Sequence, residues 1–382
     1  MSLLSSLLPL VYDLSPLQAP HDLFFACTAL LLRDANAGAY AGRTMELSME
    51  LPYVIAAIPK GHAFVSSADG HQPLHFVSDY AIFAIAVPNG SVDDLKIVEG
   101  VNEQGLSFSV LAYAGASGPA DNAEKTKAML AAIDLGAFVL GQCATTGAVK
   151  AKLADNPVLL TALAPLHGAT TPFHFVVHDR AGQSLVIEFS EHQQNVYDNP
   201  VGVMTNGPAF PWHLTNLNNY TFLNNRDQST GKFGALSVTQ PDSGIATAGL
   251  PASNTSVGRF VRAAYYATFA EKTEPARAVR SLAHVMNNFD RPRGITIDPP
   301  KSGGLDIEGI SAAPGQAYKT EYTSWTVLAD LGNDQFYVRT YDALNYIRFD
   351  LKRIFAAASF KVVPLDQIAQ IQTLDATETL LQ

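Results

Sequence analysis

Cysteine is nearly absent from this sequence: 382 residues hold two, Cys27 and Cys143. Two thiols cannot build a disulfide framework for a chain of this length, and they form no CxxC metal pair. Charge is also scarce, at 16% of residues, and leans acidic, with 35 Asp and Glu against 25 Lys and Arg. The resulting net charge of −10 repels polyanions, and no long Lys/Arg run reverses that locally. Nucleic acid and anionic membrane are therefore not expected partners. Downstream of the N-terminal leader no uncharged apolar run reaches the ~18 residues that a spanning helix needs. Internal repeats, low-complexity tracts and an obvious linker are missing too. What is abundant is apolar material, at 47% of residues, enough for a sizeable core and too much for a disordered chain. Length alone suits one large or two ordinary domains.

The leader "MSLLSSLLPLVYDL" has an apolar centre but no basic n-region, and "LFFA" is a poor A-x-A cleavage site. It reads as a degraded secretory signal or a short pro-segment. A signal would place the protein in the periplasm or outside the cell, and a pro-segment would leave it in the cytoplasm. In both readings residues 1–26 are removable rather than part of the core, and 27–382 forms one domain. Cys143 lies in "GAFVLGQCATTGAVKAKL", a helical pattern, and reads as a buried small hydrophobe.

Along the chain, "CTALLLRD" is an apolar run of strand length, and "AYAGRTMELSME" alternates at period two, so the pair predicts a β-hairpin. Strands follow over "YAIFAIAVPNG" and on both sides of "VNEQG". Helical periodicity covers 121–152. "TPFHFVVHDRAGQSLVIEFSEHQQNVYDN" reads as three strands with two turns. "VGRFVRAAYYATFAEK" and "PARAVRSLAHVMNNF" read as helices, and "YTSWTVLADLGNDQFYVRTYDALNYIRFDL" as strands again. The Pro/Gly-rich stretch 289–318 reads as a long loop. Antiparallel runs separated by blocks of helices predict an α+β fold rather than βαβ units.

Cys27 stands where the leader meets the first strand. A thiolate is the reactive form of cysteine, and free Cys has a pKa of about 8.5, so something must take the proton. One solution is a histidine, with His174 and His178 as candidates, although no local signature supports that arrangement. Another is leader removal between Ala26 and Cys27. The new α-amine, with a pKa of about 7.7–8.0, then shares a residue with the thiol and serves as its base. Arg43 favours the thiolate and Glu46 holds the amine. Taken singly, these residues have plainer readings: a buried strand cysteine, a surface Arg–Glu pair, and a turn asparagine in "TNGP".

The segments "ACT…GRTME", "EGVNEQGLSFSVLAY", "VGVMTNGPAFPWHLTNLNNY", "VGRFVRAAYY", "MNNFDRPRG" and "YTSWTVLADL" resemble, in the same order, the choloylglycine hydrolases. That family comprises bile salt hydrolases and penicillin V acylases of the N-terminal nucleophile superfamily. The resemblance runs from Cys27 to about Leu351 and is nearest the Gram-negative penicillin V acylase-like branch. It implies a four-layer αββα sandwich with two antiparallel sheets, and amidase activity on linear amides with a hydrophobic acyl group. The acyl groups of the family are conjugated bile salts, phenoxyacetyl penicillins and, in some relatives, N-acyl homoserine lactones. The resemblance puts the nucleophile on Cys27, the neighbouring arginine on Arg43 and a second arginine on Arg259. The carboxylate at the amine falls on Glu46, where the family has Asp. The oxyanion donors fall on the Asn206 amide and the Ala112 backbone N–H. Apart from the resemblance, Trp212 and His213, close after Asn206, read equally as an aromatic wall of the site or as core packing, and Tyr113 and Trp212 are the expected substrate-binding residues. The resemblance implies no metal or organic cofactor and a homotetramer. The Glu46 departure keeps a second reading open, a catalytically impaired ligand-binding relative on the same scaffold.

Overall fold

A computed structural model describes residues 25–48, 50–68, 70–163, 169–297 and 320–370. Two antiparallel sheets dominate. The first has six strands, in the order 203–204, β1 (Phe25–Arg33), β2 (Ala39–Leu47), 322–330, 335–340 and 347–350. The second has eight, in the order 193–198, 184–190, 173–178, 107–112, 95–102, 82–88, 54–58 and 361–364. The helices are α1 (Leu135–Gln142), α2 (Thr146–Asp155), α3 (Phe210–Asn216), α4 (Ser256–Phe269) and α5 (Pro275–Met286), with two shorter ones near the C-terminus.

The layering follows from where the apolar side chains go. Leu30, Phe83, Ile85, Leu111, Val176 and Val327, from both sheets, share one buried cluster that also takes in Phe260 of α4 and Leu282 and Met286 of α5. The far face of the eight-stranded sheet packs Ala84, Phe108 and Ile187 against Leu135, Val139 and Leu140 of α1 and Val149 and Leu153 of α2. The order is helices, six-stranded sheet, eight-stranded sheet, helices, which is the αββα sandwich expected. No helix among the described residues is long and apolar enough to cross a membrane.

The predicted hairpin forms with an unbroken register, Cys27 opposite Met45 and Ala29 opposite Arg43. Opposed residues of an antiparallel pair point to the same face. Cys27, Ala29, Arg43 and Met45 therefore share one face. Ala26, Thr28, Gly42, Thr44 and Glu46 share the other, toward α5. A Cβ at Gly42 would lie 2.8 Å from Met286 Sδ and 2.9 Å from Leu282 Cδ1, so glycine here lets α5 settle on the strand.

Two expectations need correction. The helical run over 121–152 is helical only at α1 and α2, because Ala128–Ala131 forms a strand parallel to 72–73 and 158–159. Pairing across the fold outweighs local periodicity there. The expected leader boundary is not a structural boundary either. β1 begins at Phe25, and Ala26 is buried opposite Glu46, because the apolar run before Cys27 continues the ladder. The remainder of the leader, and 298–319 of the expected long loop, lie outside the described residues.

Candidate active site

Cys27 is 1% exposed and stands on the inner face of a central strand. Its Sγ receives Arg43 Nη2 at 3.5 Å and lies 3.8 Å from Met45 Sδ. Arg43 reaches it from the adjacent strand, one pleat along, and is itself held by acceptors from the other sheet. Nη1 donates to Val98 O at 3.3 Å and to Glu99 Oε2 at 3.4 Å, and Nη2 donates to Val110 O. The guanidinium also lies over the Trp325 ring, 4.9 Å from its centroid. Those contacts fix a charge that would otherwise be costly to bury.

The Cys27 nitrogen donates to Asn206 Oδ1 at 2.9 Å. Arg259 Nη2 donates to the same oxygen at 2.7 Å, while Asn206 Nδ2 donates to Ala112 O at 2.8 Å. Two donors on one end and an acceptor on the other fix which way the amide faces. Arg259 also ties the strand down, through Nη1 to the Cys27 carbonyl and to Thr28 Oγ1 at 2.9 Å. It is 2% exposed, despite its place in the first turns of α4. The Asn206 backbone is braced by Ser256 Oγ, which accepts from its N–H at 2.9 Å, and by His213 Nε2, 2.9 Å from its carbonyl. His213 stacks on Phe260, and burial lowers its pKa to about 4. It is therefore neutral, and its Nε2–H donates to that carbonyl.

The electrostatics oppose one another. Burial pushes the Cys27 thiol up, while Arg43, Arg259 and the Ala112 N–H pull it down and Glu46 pushes it up again. Burial raises the Glu46 carboxyl to about 7 against the pull of Arg259 and Arg291. Burial does the same to Glu99 against Arg43, also to about 7. The thiol waits protonated, flanked by cations that would stabilise a thiolate once a base removes the proton.

Cys27 opens onto a cavity of about 470 Å³ whose lining includes Met45, Leu51, Tyr53, Phe64, Val110 and Phe175. Its Asp93 is exposed, and its Lys96 is already paired with Asp94 and Asp134, each at 2.7 Å. The interior is therefore mostly apolar, which suits a hydrophobic group bound beside the thiol.

The structure thus gathers Cys27, Arg43, Asn206, Arg259 and Ala112. Glu46 is close but does not hold the Cys27 nitrogen. It pairs with Ala26 rather than Cys27, so its carboxyl faces the helices, with Oε1 3.3 Å from Thr323 Oγ1 and Oε2 buried without a hydrogen-bond partner among the described residues. Tyr113 and Trp212 are not on the cavity. Tyr113 stacks on His174 at 4.9 Å, and Trp212 is 45% exposed on α3, edge-on to His213. An aromatic next to a site residue in sequence points away from it when the chain turns or leaves the strand between them. The histidine alternative finds no geometry. The sulfur's partners are Arg43 and Met45; His174 uses both ring nitrogens elsewhere, and burial lowers His178 to about 4, with neither ring nitrogen partnered among the described residues. Sequence reasoning missed Glu99, which anchors Arg43 from the opposite sheet. Its sequence signal is a carboxylate flanked by Val98 and Gly100 in the strand "LKIVEGVN".

The family profile described as linear amide C–N hydrolases, choloylglycine hydrolase family, matches residues 27–354. This chain belongs to the choloylglycine hydrolase family. Among curated relatives, it is 27% identical over 273 residues to a bile salt hydrolase/transferase of Clostridium perfringens, covering 71% of this chain and 80% of that one. It is 25% identical over 317 residues to a penicillin V acylase of Pectobacterium atrosepticum, covering 79% and 74%. The crystal structure of a mutant conjugated bile acid hydrolase from Clostridium perfringens superposes with a TM-score of 0.76 at 22% identity, covering 91% of this chain and all of that one. That likeness carries the fold. A choloylglycine hydrolase is a linear amide C–N hydrolase, and the profile match begins at Cys27 itself.

Proposed function

We propose that this choloylglycine hydrolase works through Cys27 as an N-terminal nucleophile, after residues 1–26 are removed. The observation that carries the reading is the arrangement at one residue. Its sulfur is met by Arg43 at 3.5 Å, and its nitrogen is held by Asn206 Oδ1 at 2.9 Å, beside an apolar cavity. Cleavage before Cys27 would turn that nitrogen into an amine without moving it. The amine takes the thiol proton, and the thiolate, favoured by Arg43 and Arg259, attacks the amide carbon. The second hydrogen of Asn206 Nδ2 and the Ala112 N–H meet the oxyanion. The amine protonates the leaving nitrogen, an acyl-enzyme forms, and water activated by the same amine releases the acid. This chemistry calls on no cofactor.

The apolar cavity supports a hydrophobic acyl group. In this reading Glu46 acts on the site as a charge near Arg259 rather than as a ligand of the amine. Intact mass and a substrate panel (penicillin V, glycocholate, a long-chain acyl homoserine lactone) test the proposal together. The expected result is a chain starting at Cys27 that turns over at least one amide. A stable full-length product that binds but does not cleave these amides points instead to the ligand-binding reading.

A further inference from the structure

His174 and Glu188 meet inside the molecule, both side chains 0% exposed, with Nδ1 and Oε2 3.2 Å apart. His174 Nε2 lies 2.9 Å from Thr205 O. A carbonyl only accepts, so Nε2 carries a hydrogen. One more proton lies between Nδ1 and the carboxyl, whichever of the two holds it. Both ring nitrogens are thus used. Glu188 has further partners: Oε2 accepts the Phe210 N–H at 3.0 Å, and Oε1 accepts from Ser190 Oγ at 3.2 Å.

These contacts enclose one segment. Thr205 is held through His174 and Phe210 directly through Glu188, so a single pair grips both ends of Thr205-Asn206-Gly207-Pro208-Ala209-Phe210. The other face of the imidazole carries the Tyr113 ring, stacked at 4.9 Å with planes 3° apart. Tyr113 follows Ala112, the second expected oxyanion donor, and its N–H donates to Pro172 O at 2.7 Å. Neither His174 nor Glu188 lines the cavity.

We propose that His174 and Glu188 are the positioning pair of the oxyanion site, setting Asn206 and Ala112 relative to each other without touching substrate. The inference rests on the reading of those two groups as oxyanion donors. A buried, fully paired unit suits this task, because it resists the small displacements that weaken a preorganised site.

The test uses Glu188→Gln and His174→Gln in the full-length gene product, with a chromogenic acyl anilide and active sites counted by thiol titration. Expected for both is a kcat per titrated site lower by about 10- to 100-fold, with KM within about threefold. Alkylation of Cys27 by iodoacetamide should fall far less than kcat, because Arg43, held from the other sheet, still meets the sulfur. A merely structural role would lower the folded fraction and leave kcat per site unchanged, and that result overturns the inference. Alkylation falling in step with kcat overturns it as well. Tyr113→Leu, which removes the stacked ring but leaves the pair, covers the case in which both polar variants fail to fold; about a tenfold loss of the same kind is expected, and wild-type kcat overturns the inference. Cys27→Ala separates the layers: if it stays active, the underlying reading fails, whereas an inactive Cys27→Ala beside an unimpaired Glu188→Gln sinks this inference alone.

Discussion

The two cysteines sit at the same depth, each 1% exposed, and in opposite surroundings. Cys143 closes α1 among Leu135, Val139, Leu140 and Val149, and burial pushes its thiol up to about 12 with only Lys152 pulling the other way. Cys27 is also pushed up by burial, but two guanidiniums and a backbone N–H pull against it. Depth alone makes a thiol inert. What distinguishes Cys27 is charge brought to its strand from two elements, Arg43 on the neighbouring strand and Arg259 on α4. Around Cys143 the layer between sheet and helices is aliphatic, and Lys152 is the one charge acting on its thiol.

The largest effect that would sharpen this contrast is the pair of alanine substitutions. Cys27→Ala should abolish amide turnover and leave the leader attached by intact mass. Cys143→Ala should keep turnover within about twofold and cost about 1 kcal/mol in denaturant melts, the order expected for one small buried group. Next comes Arg43. Arg43→Leu strands Glu99 in the interior, so about 3–5 kcal/mol of stability should go with the activity. Adding Glu99→Gln should recover much of that stability in the same melts and none of the turnover. Arg43→Lys should still lose about 10²-fold in kcat/KM, because an ammonium cannot reach Val98, Glu99 and Val110 from one position.

A subtler test uses pH. Glu46 and Glu99 have folded values of about 7 against an ordinary 4.5. Between those values the folded chain binds more protons than the unfolded one, so stability is greatest below about 4.5 and falls as pH rises to about 7. In an uncleaved Cys27→Ala background, urea melts should show that decline from these two groups. Glu46→Gln should make it shallower, by up to one proton per molecule at its steepest. Smallest of all, Trp212→Ala should change kcat/KM by less than twofold, since its ring lies off the cavity.

Much of the fold was legible because its signals are local. The period-two alternation of "AYAGRTMEL" and the "DRAGQ" turn predict hairpins that form, and the helical patterns at α4 and α5 hold. The stretch 121–134 was not legible, since Ala128–Ala131 becomes a strand only through partners about 30 to 60 residues away. The site divides in the same way. Cys27, Arg43 and Asn206 stand in motifs, and the hairpin register brings the first two together. Side-chain direction is harder to read. Glu46 is three residues from Arg43 and so faces the other side of the sheet, and Tyr113 turns from the cavity that Ala112 borders. Glu99, His174 and Glu188 are scattered polar letters among apolar ones, and their partners appear only when strands and sheets are brought together.

The most direct measurement is acid quench of a turning-over sample, followed by peptide mapping with mass spectrometry. The expected result is a mature chain whose first peptide begins at Cys27 and carries the acyl group of the substrate on that residue. An acyl group on any other side chain, or full turnover by a chain still bearing Ala26, contradicts Cys27 as an N-terminal nucleophile.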